Sequence, residues 1–318
     1  MPVLEGVRVL ASAGFAPLTW SASGSLVYVY GVGGTTENVI VRVSRNGLVQ
    51  PIDTAWKGEF NSLALSPDGR HLAVGANAGG GLNIWIKELD RGPFTRLTFG
   101  GQDRRPTWSP DGRTVAFVRD STNSSAVYAR PTDGSGQDHL MARLDRQVQE
   151  VEWSHDGRWM LVRTDNAQAG AGDILAVPVG GTGAPVPVAT GPFGELNPAL
   201  SPDGHWLAYT SDESGINEVY VRPFPNANGG RWQISNGGGG EPRWSHTGRE
   251  LFYIDATQHL VAVQVRTVPS FAAAGGTTLF DVSKFIVQGF HQSYEVTPDD
   301  RSFVFVSPKV TPSVFSAG

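Results

Sequence analysis

Short apolar runs of about five to eight residues recur along the whole chain, separated by polar stretches rich in Gly, Pro and Asp. Seven of these runs follow one kind of turn: LVYVY, LAVGA, VAFVR, MLVRT, LAYTS, LFYID and FVFVS. The turns are SASG at Ser21–Gly24, SPDG at Ser66–Gly69, SPDG at Ser109–Gly112, SHDG at Ser154–Gly157, SPDG at Ser201–Gly204, SHTG at Ser245–Gly248 and TPDD at Thr297–Asp300. Their last residues are separated by 45, 43, 45, 47, 44 and 52 positions, which makes the chain an internal repeat. An apolar residue precedes each turn (Trp20, Leu65, Trp108, Trp153, Leu200, Trp244, Val296), so each unit begins strand, tight turn, strand. Pro sets φ at the second turn position, Asp can bond the backbone two residues on, and Gly supplies positive φ. In the last copy Asp300 takes the place of glycine, and Asp tolerates that region.

A third apolar run follows each pair (NVIVRV, LNIWIKEL, AVYARP, DILAVPV, NEVYVRPF, HLVAVQV), then a weaker fourth such as FTRLTF or PVPVAT. Four short antiparallel strands per unit describe a propeller blade, and closing the units into a ring removes their exposed edges. The spacing predicts an all-β, single-domain, seven-bladed β-propeller with blades starting near 15, 60, 103, 148, 195, 240 and 290. The last unit has only PKVTPSVFSAG after its second strand. Pro2–Val9, within residues 1–10, is therefore expected to supply the outer strand of the last blade. The alternative is six blades plus a terminal hairpin.

Composition narrows the partners. Only 17% of residues are charged and the net charge is −5, so no basic excess exists to neutralise phosphates, and nucleic acid is not expected. There is no cysteine, which rules out disulfides, thiolate metal sites and Cys nucleophiles. The opening MPVLEGVRVLASAGF has neither the basic start nor the apolar run of a signal peptide, and no apolar run of membrane-spanning length occurs. The chain is expected not to insert in a membrane.

Candidate chemistry lies in the loops of the face opposite the repeated turns, around the channel mouth, because the ring holds those loops rigidly while their sequences vary. Arg104, Arg105, Glu150, Glu195, Asn197, Glu241, Arg243 and His291 fall there and form a mixed ring suited to a protein, peptide or saccharide ligand. Glu150, Glu195 and Glu241 occupy what look like equivalent positions, and two of them with separated pKa values could act as acid and base on a sugar. That makes a carbohydrate-active lyase or hydrolase the enzyme alternative. No G-x-S-x-G elbow occurs, and none of the seven histidines forms an H-x-H or H-E-x-x-H pattern. No catalytic residue, resident metal or cofactor is therefore assigned. Calcium at the acidic loops Asp165–Asp173 or Asp212–Glu218 would be the cation of choice, although neither follows the EF-hand pattern. His155, His205 and His246 sit in or beside the turns and read as surface substitutions. Trp20, Trp108, Trp153 and Trp244 share one repeat position and read as packing between blades, whereas Trp56, Trp206 and Trp232 are less regular and could stack on a sugar.

The unit WSPDGRTVAFV resembles the TolB-type, WD40-like (PD-type) propeller repeat. The longer run SDESGINEVYVRPFPNANGGRWQISNGGGGEPRWSHTGRELFYI resembles the propeller that follows a membrane span at the C-terminal end of certain bacterial serine/threonine protein kinases. The resemblance covers essentially the whole chain. It implies a non-catalytic sensor or interaction module, extracytoplasmic when attached to a kinase, or a protein–protein scaffold of TolB type. This chain lacks the kinase domain and membrane helix, so it reads as an excised domain, a truncated product or a free-standing relative.

Overall fold

Each repeated turn folds as the residue types require. In SPDG of residues 66–69 the Ser66 hydroxyl donates to Asp68 Oδ1 at 2.6 Å and accepts the His71 amide at 2.9 Å, while Gly69 N bonds Ser66 O at φ +69°. The same net recurs at Ser109–Asp111, Ser154–Asp156, Ser201–Asp203 and Thr297–Asp299. Asp300 adopts φ +58°, as its tolerance of the left-handed region predicts. Its carboxylate also accepts the amides of His246 and Thr247 from the neighbouring turn.

The structure, a computed structural model, describes residues 18–20, 26–28, 37–53, 55–77, 81–89, 92–166, 171–180 and 183–308. The chain divides into two units, Met1–Glu37 and Asn38–Gly318. In the first, Leu18–Trp20 pairs antiparallel with Leu26–Tyr28.

The second unit is a ring of six four-stranded antiparallel blades. Blade 1 contains Glu59–Leu65, His71–Asn77, Leu82–Glu88 and Phe94–Arg96. Blade 2 contains Asp103–Trp108, Thr114–Asp120, Ser125–Pro131 and His139–Arg143. Blade 3 contains Val148–Trp153, Trp159–Asn166, Ala171–Pro178 and Val186–Ala189. Blade 4 contains Glu195–Leu200, Trp206–Ser211, Glu218–Pro223 and Trp232–Gln233. Blade 5 contains Gly239–Trp244, Glu250–Asp255, His259–Arg266 and Ala272–Asp281. Blade 6 takes its inner strands, Tyr294–Val296 and Ser302–Pro308, from the end of the chain and its outer strands, Asn38–Ser44 and Val49–Pro51, from the beginning.

This corrects the expected seven blades to six, the arrangement held as the alternative. The run NVIVRVS is the third strand of blade 6. It pairs with SFVFVSP across seven residue pairs, from Ser302↔Ser44 to Pro308↔Asn38. Ile40, Val41 and Val43 are buried there at 1, 2 and 0% exposure, so the apolar face and the edge of the last blade are covered together. Pro2–Val9, expected to close the ring, lies outside the described residues, and the two outer strands of blade 6 come from residues 38–51.

Six apolar clusters hold the ring, one at each blade–blade interface. Trp108 and Trp244 pack at two of them, and their indole N–H groups donate to Ala64 O (2.9 Å) and Ala199 O (3.0 Å) of the preceding inner strand.

Candidate functional site

The innermost strands bulge where they reach the axis. Their register with the second strand shifts at Phe60/Ser62, Val148/Glu150, Leu196/Ala199 and Gly240/Arg243, and opposite Ala116/Val118 in blade 2. Arg105, Asn197 and Glu241 take positive φ of 54, 51 and 55° at these bulges, which re-aims the side chain. Counting back seven residues from the end of each turn gives Ser62, Arg105, Glu150, Asn197, Glu241 and Ser293, one per blade. Strand alternation then puts Ala64, Thr107, Glu152, Ala199, Arg243 and Glu295 on the same axial face, nearer the turns.

The loop Gln288–Ser293, which leads into blade 6, crosses the axis. Gln288 Nε2 donates to Asn61 O of blade 1 (3.2 Å), and its Oε1 accepts from Arg105 of blade 2 (3.2 Å). Gln292 N donates to Glu150 Oε1 of blade 3 (3.2 Å), and Arg163, also of blade 3, donates to Phe290 O (3.3 Å). Gly289 N and Ser293 N donate to the two carboxylate oxygens of Glu241 in blade 5, at 2.9 and 2.8 Å. A segment bonded to the inner strands of four other blades is a plug, and Phe290 at its tip is 66% exposed.

Below the plug lies a cavity of about 400 Å³ along the axis. Arg105, Glu150 and Gln292 line its inner end, Thr107, Glu152, Arg243 and Glu295 its waist, and Pro67, Pro110, Pro202, His155 and His246 its turn-side rim. It is a blind channel lined from the turn face inward. In most turns the proline leans on the next turn's glycine. A Cβ built on Gly69 would meet Pro298 at 2.8 Å, and one on Gly248 would meet Pro202 at 3.7 Å. His155 stands where that proline would be, and the space over Gly204 is open.

The axial charges are coupled. Arg163 donates to Glu150 Oε2 at 3.0 Å, and His291 Nδ1 lies 3.3 Å from Glu150 Oε1 and 3.2 Å from Arg163 Nη2. Burial alone would raise the Glu150 carboxyl, but His291, Arg163 and Arg105 hold it down at about 2. Burial pushes Glu241 up to about 7, against the Ser293 and Gly289 amides. Arg243 sits between two carboxylates, 3.2 Å from Glu152 and 2.9 Å from Glu295. Burial raises both acids, Glu295 to about 7, with Arg243 opposing. Burial lowers Arg105 to about 10 and also lowers His291.

Of the eight residues read from the sequence, Arg105, Glu150 and Arg243 line the cavity, Glu241 bonds the plug, and His291 lies in the plug beside Glu150. Asn197 is fully buried at the equivalent position, and neither polar atom of its side chain has a hydrogen-bond partner among the described residues. Arg104 is drawn into the blade 2–3 joint, on Asp120 at 2.6 Å and on Val148 O and Gln149 O. Glu195 is two residues out of phase with Glu150 and Glu241; Asn197, not Glu195, is their counterpart. Burial raises Glu195 to about 7, opposed by Ser211.

Sequence reasoning missed Glu152, Glu295, Arg163 and the two rim histidines. A charge inside the buried run MLVRT was the available signal for Arg163. The acidic loops expected for calcium spend carboxylates internally: Asp173 pairs with Arg146, Asp212 accepts Gly194 N, Glu213 pairs with Arg231, and Glu218 accepts Ser235 and the Gly237 and Gly238 amides. Trp56 is buried, while Trp206 and Trp232 pack on each other and on Phe271.

A family model described as the PD40 TolB beta propeller domain matches residues 15–177. Among curated relatives, the "Uncharacterized peptidase YuxL" of Bacillus subtilis is 29% identical over 44% of this chain and 27% of its own length. The Tol-Pal system protein TolB of Francisella tularensis is 24% identical over 61% of this chain and 44% of its own. The chain thus spans less than half the length of these relatives. Among solved structures, a putative TolB from Agrobacterium tumefaciens superposes with a TM-score of 0.69 at 21% identity, covering 87% of this chain and all of that one. TolB from Acinetobacter baumannii gives 0.56 at 15%, covering 90% and 72%. These likenesses show the fold, and the match across half of the residues shows the lineage: the chain belongs to the TolB β-propeller (PD40) family.

Proposed function

We propose that the ring is a non-catalytic interaction module that holds a segment of another protein in its axial channel. The observation that carries this reading is the blind cavity, with proline and tryptophan walls and a charged inner end. Arg105, Glu150 and Arg243 would meet the segment directly, while Glu241 holds the plug that contains His291, Arg104 ties blade 2 to blade 3, and Asn197 and Glu195 lie buried in blade 4. Relatives named for the Tol-Pal system support a protein partner. The kinase-tail resemblance suggests an extracytoplasmic setting in which such binding is sensed.

The enzyme reading draws on one observation: Glu150 at about 2 and Glu241 at about 7 accept from the adjacent amides Gln292 N and Ser293 N. Both carboxyls are capped by the plug, so a saccharide would have to displace it. Titration calorimetry against a panel of peptides and oligosaccharides tests the proposal, using the chain and Thr107→Trp, which fills the waist. Saturable peptide binding abolished by Thr107→Trp is expected. Peptide binding untouched by that substitution, or binding of saccharides alone, would overturn it.

A further inference from the structure

Four carboxylates meet on the axis, Glu150, Glu152, Glu241 and Glu295, against three guanidiniums, Arg105, Arg163 and Arg243. Arg163 is spent on Glu150, and Arg105 on Asn61 O and Gln288. Arg243 must serve Glu152 and Glu295 together, with one contact to each. The other oxygen of Glu152 accepts Leu200 N at 3.0 Å, whereas Glu295 Oε2 has no hydrogen bond among the described residues. The waist of the cavity therefore holds a carboxylate with only half its bonding satisfied. An anion gains little here, because the unbonded Nε atoms of Arg105 and Arg243 are sealed from the cavity.

Trp153 supplies a second, independent feature. Trp108 and Trp153 both line the cavity, but where Trp108 and Trp244 donate their indole N–H to the preceding blade, Trp153 turns its own to Gly157 O (3.4 Å) of its own turn. An aromatic side chain and an underbonded carboxylate lining one cavity, reached past a rim of prolines, suit a cation on an apolar stem.

We infer that the cavity takes a basic side chain, a lysine ammonium or arginine guanidinium, from the bound segment, with its stem against Trp153 and the rim prolines and its charge on Glu295 and Glu152. This rests on the channel being the binding site proposed above and names what that site selects. Glu295, held up at about 7 by burial with Glu152 adding and Arg243 opposing, would release a proton as the cation arrives.

The test uses Gly-Gly-X-Gly-Gly peptides with X as lysine, arginine, norleucine or glutamate, titrated calorimetrically into the chain at pH 7. Lysine and arginine peptides should bind at least tenfold tighter than norleucine. Glu295→Gln should remove most of that preference, and Trp153→Leu should weaken lysine and norleucine peptides alike. Should Glu295→Gln fail to fold, repeating the lysine titration in two buffers of different ionisation heat reads the proton release on the unmodified chain. Equal affinity for lysine and norleucine, a preference for glutamate, or no proton release would overturn the inference and leave segment binding standing. Failure of every peptide, together with a null result from the wider panel, would remove both.

Discussion

Glu195 offers a measurable test of how this ring handles buried charge. The residue is 5% exposed, its Oε2 has no hydrogen bond among the described residues, and burial holds the carboxyl at about 7 instead of 4.5. Below pH 4.5 the group is protonated whether the chain is folded or not, and it costs nothing. Between 4.5 and 7 the unfolded chain gives up the proton while the folded chain keeps it, so stability falls as pH rises, and above 7 the loss is complete. Worked from these two values, the loss between pH 5 and pH 8 is about 2.5 kcal/mol for this residue. Glu241 and Glu295, also at about 7, slope the same way, while burial of His155 and His291 slopes the opposite way near neutrality. Glu150, at about 2, is lost only in stronger acid. Comparing the chain with Glu195→Gln cancels these shared contributions. Urea unfolding at several pH values should show the variant gaining about 2.5 kcal/mol on the parent from pH 5 to pH 8. Curves that run parallel over that range would refute the argument that burial governs this carboxyl.

Three further outcomes follow from the geometry. Val43→Ala, at a fully buried position in the outer half of blade 6, should cost roughly 2–3 kcal/mol in thermal or urea unfolding, and a loss under about 0.5 kcal/mol would contradict closure by this strand. Gly204→Ala, at φ +71° in open space, should cost about 1 kcal/mol, and Gly69→Ala, at φ +69° with Pro298 2.8 Å from the new Cβ, roughly 2–3 kcal/mol; equal losses would deny the turn-to-turn contact. Glu241→Asn, too short to reach the loop yet tolerant of positive φ, should speed hydrogen exchange at the Gly289 and Ser293 amides at least tenfold, and unchanged protection would show the plug is held by other bonds.

The repeated turns were legible because their chemistry is local: Ser, Pro, Asp and Gly act within five residues of one another, and even Asp300 could be placed by its own conformational range. Blade number was not, because seven turns do not make seven blades once NVIVRVS pairs with Ser302–Pro308 and completes the last blade. The axial residues were half legible. Glu150, Glu241 and Arg105 could be placed by position in the repeat, but the bulge in each inner strand shifts the phase, which is why Glu195 was read as their equal and Asn197 is. The plug left no local trace. Its sequence QGFHQS is an ordinary polar loop, and its role depends on donors and acceptors carried by four other blades.

The seam within blade 6 also bears on how the chain is made. Asn38–Ser44 emerges from the ribosome some 270 residues before its partner Ser302–Pro308, a wait on the order of tens of seconds at ordinary translation speed. Throughout that interval an apolar strand with Ile40, Val41 and Val43 lacks its blade partner Ser302–Pro308, while blades 1 to 5 can assemble from local sequence. The nascent chain is thus most open to mispairing and to chaperone capture at its earliest ring strand, and the ring locks only as its final inner strand is completed.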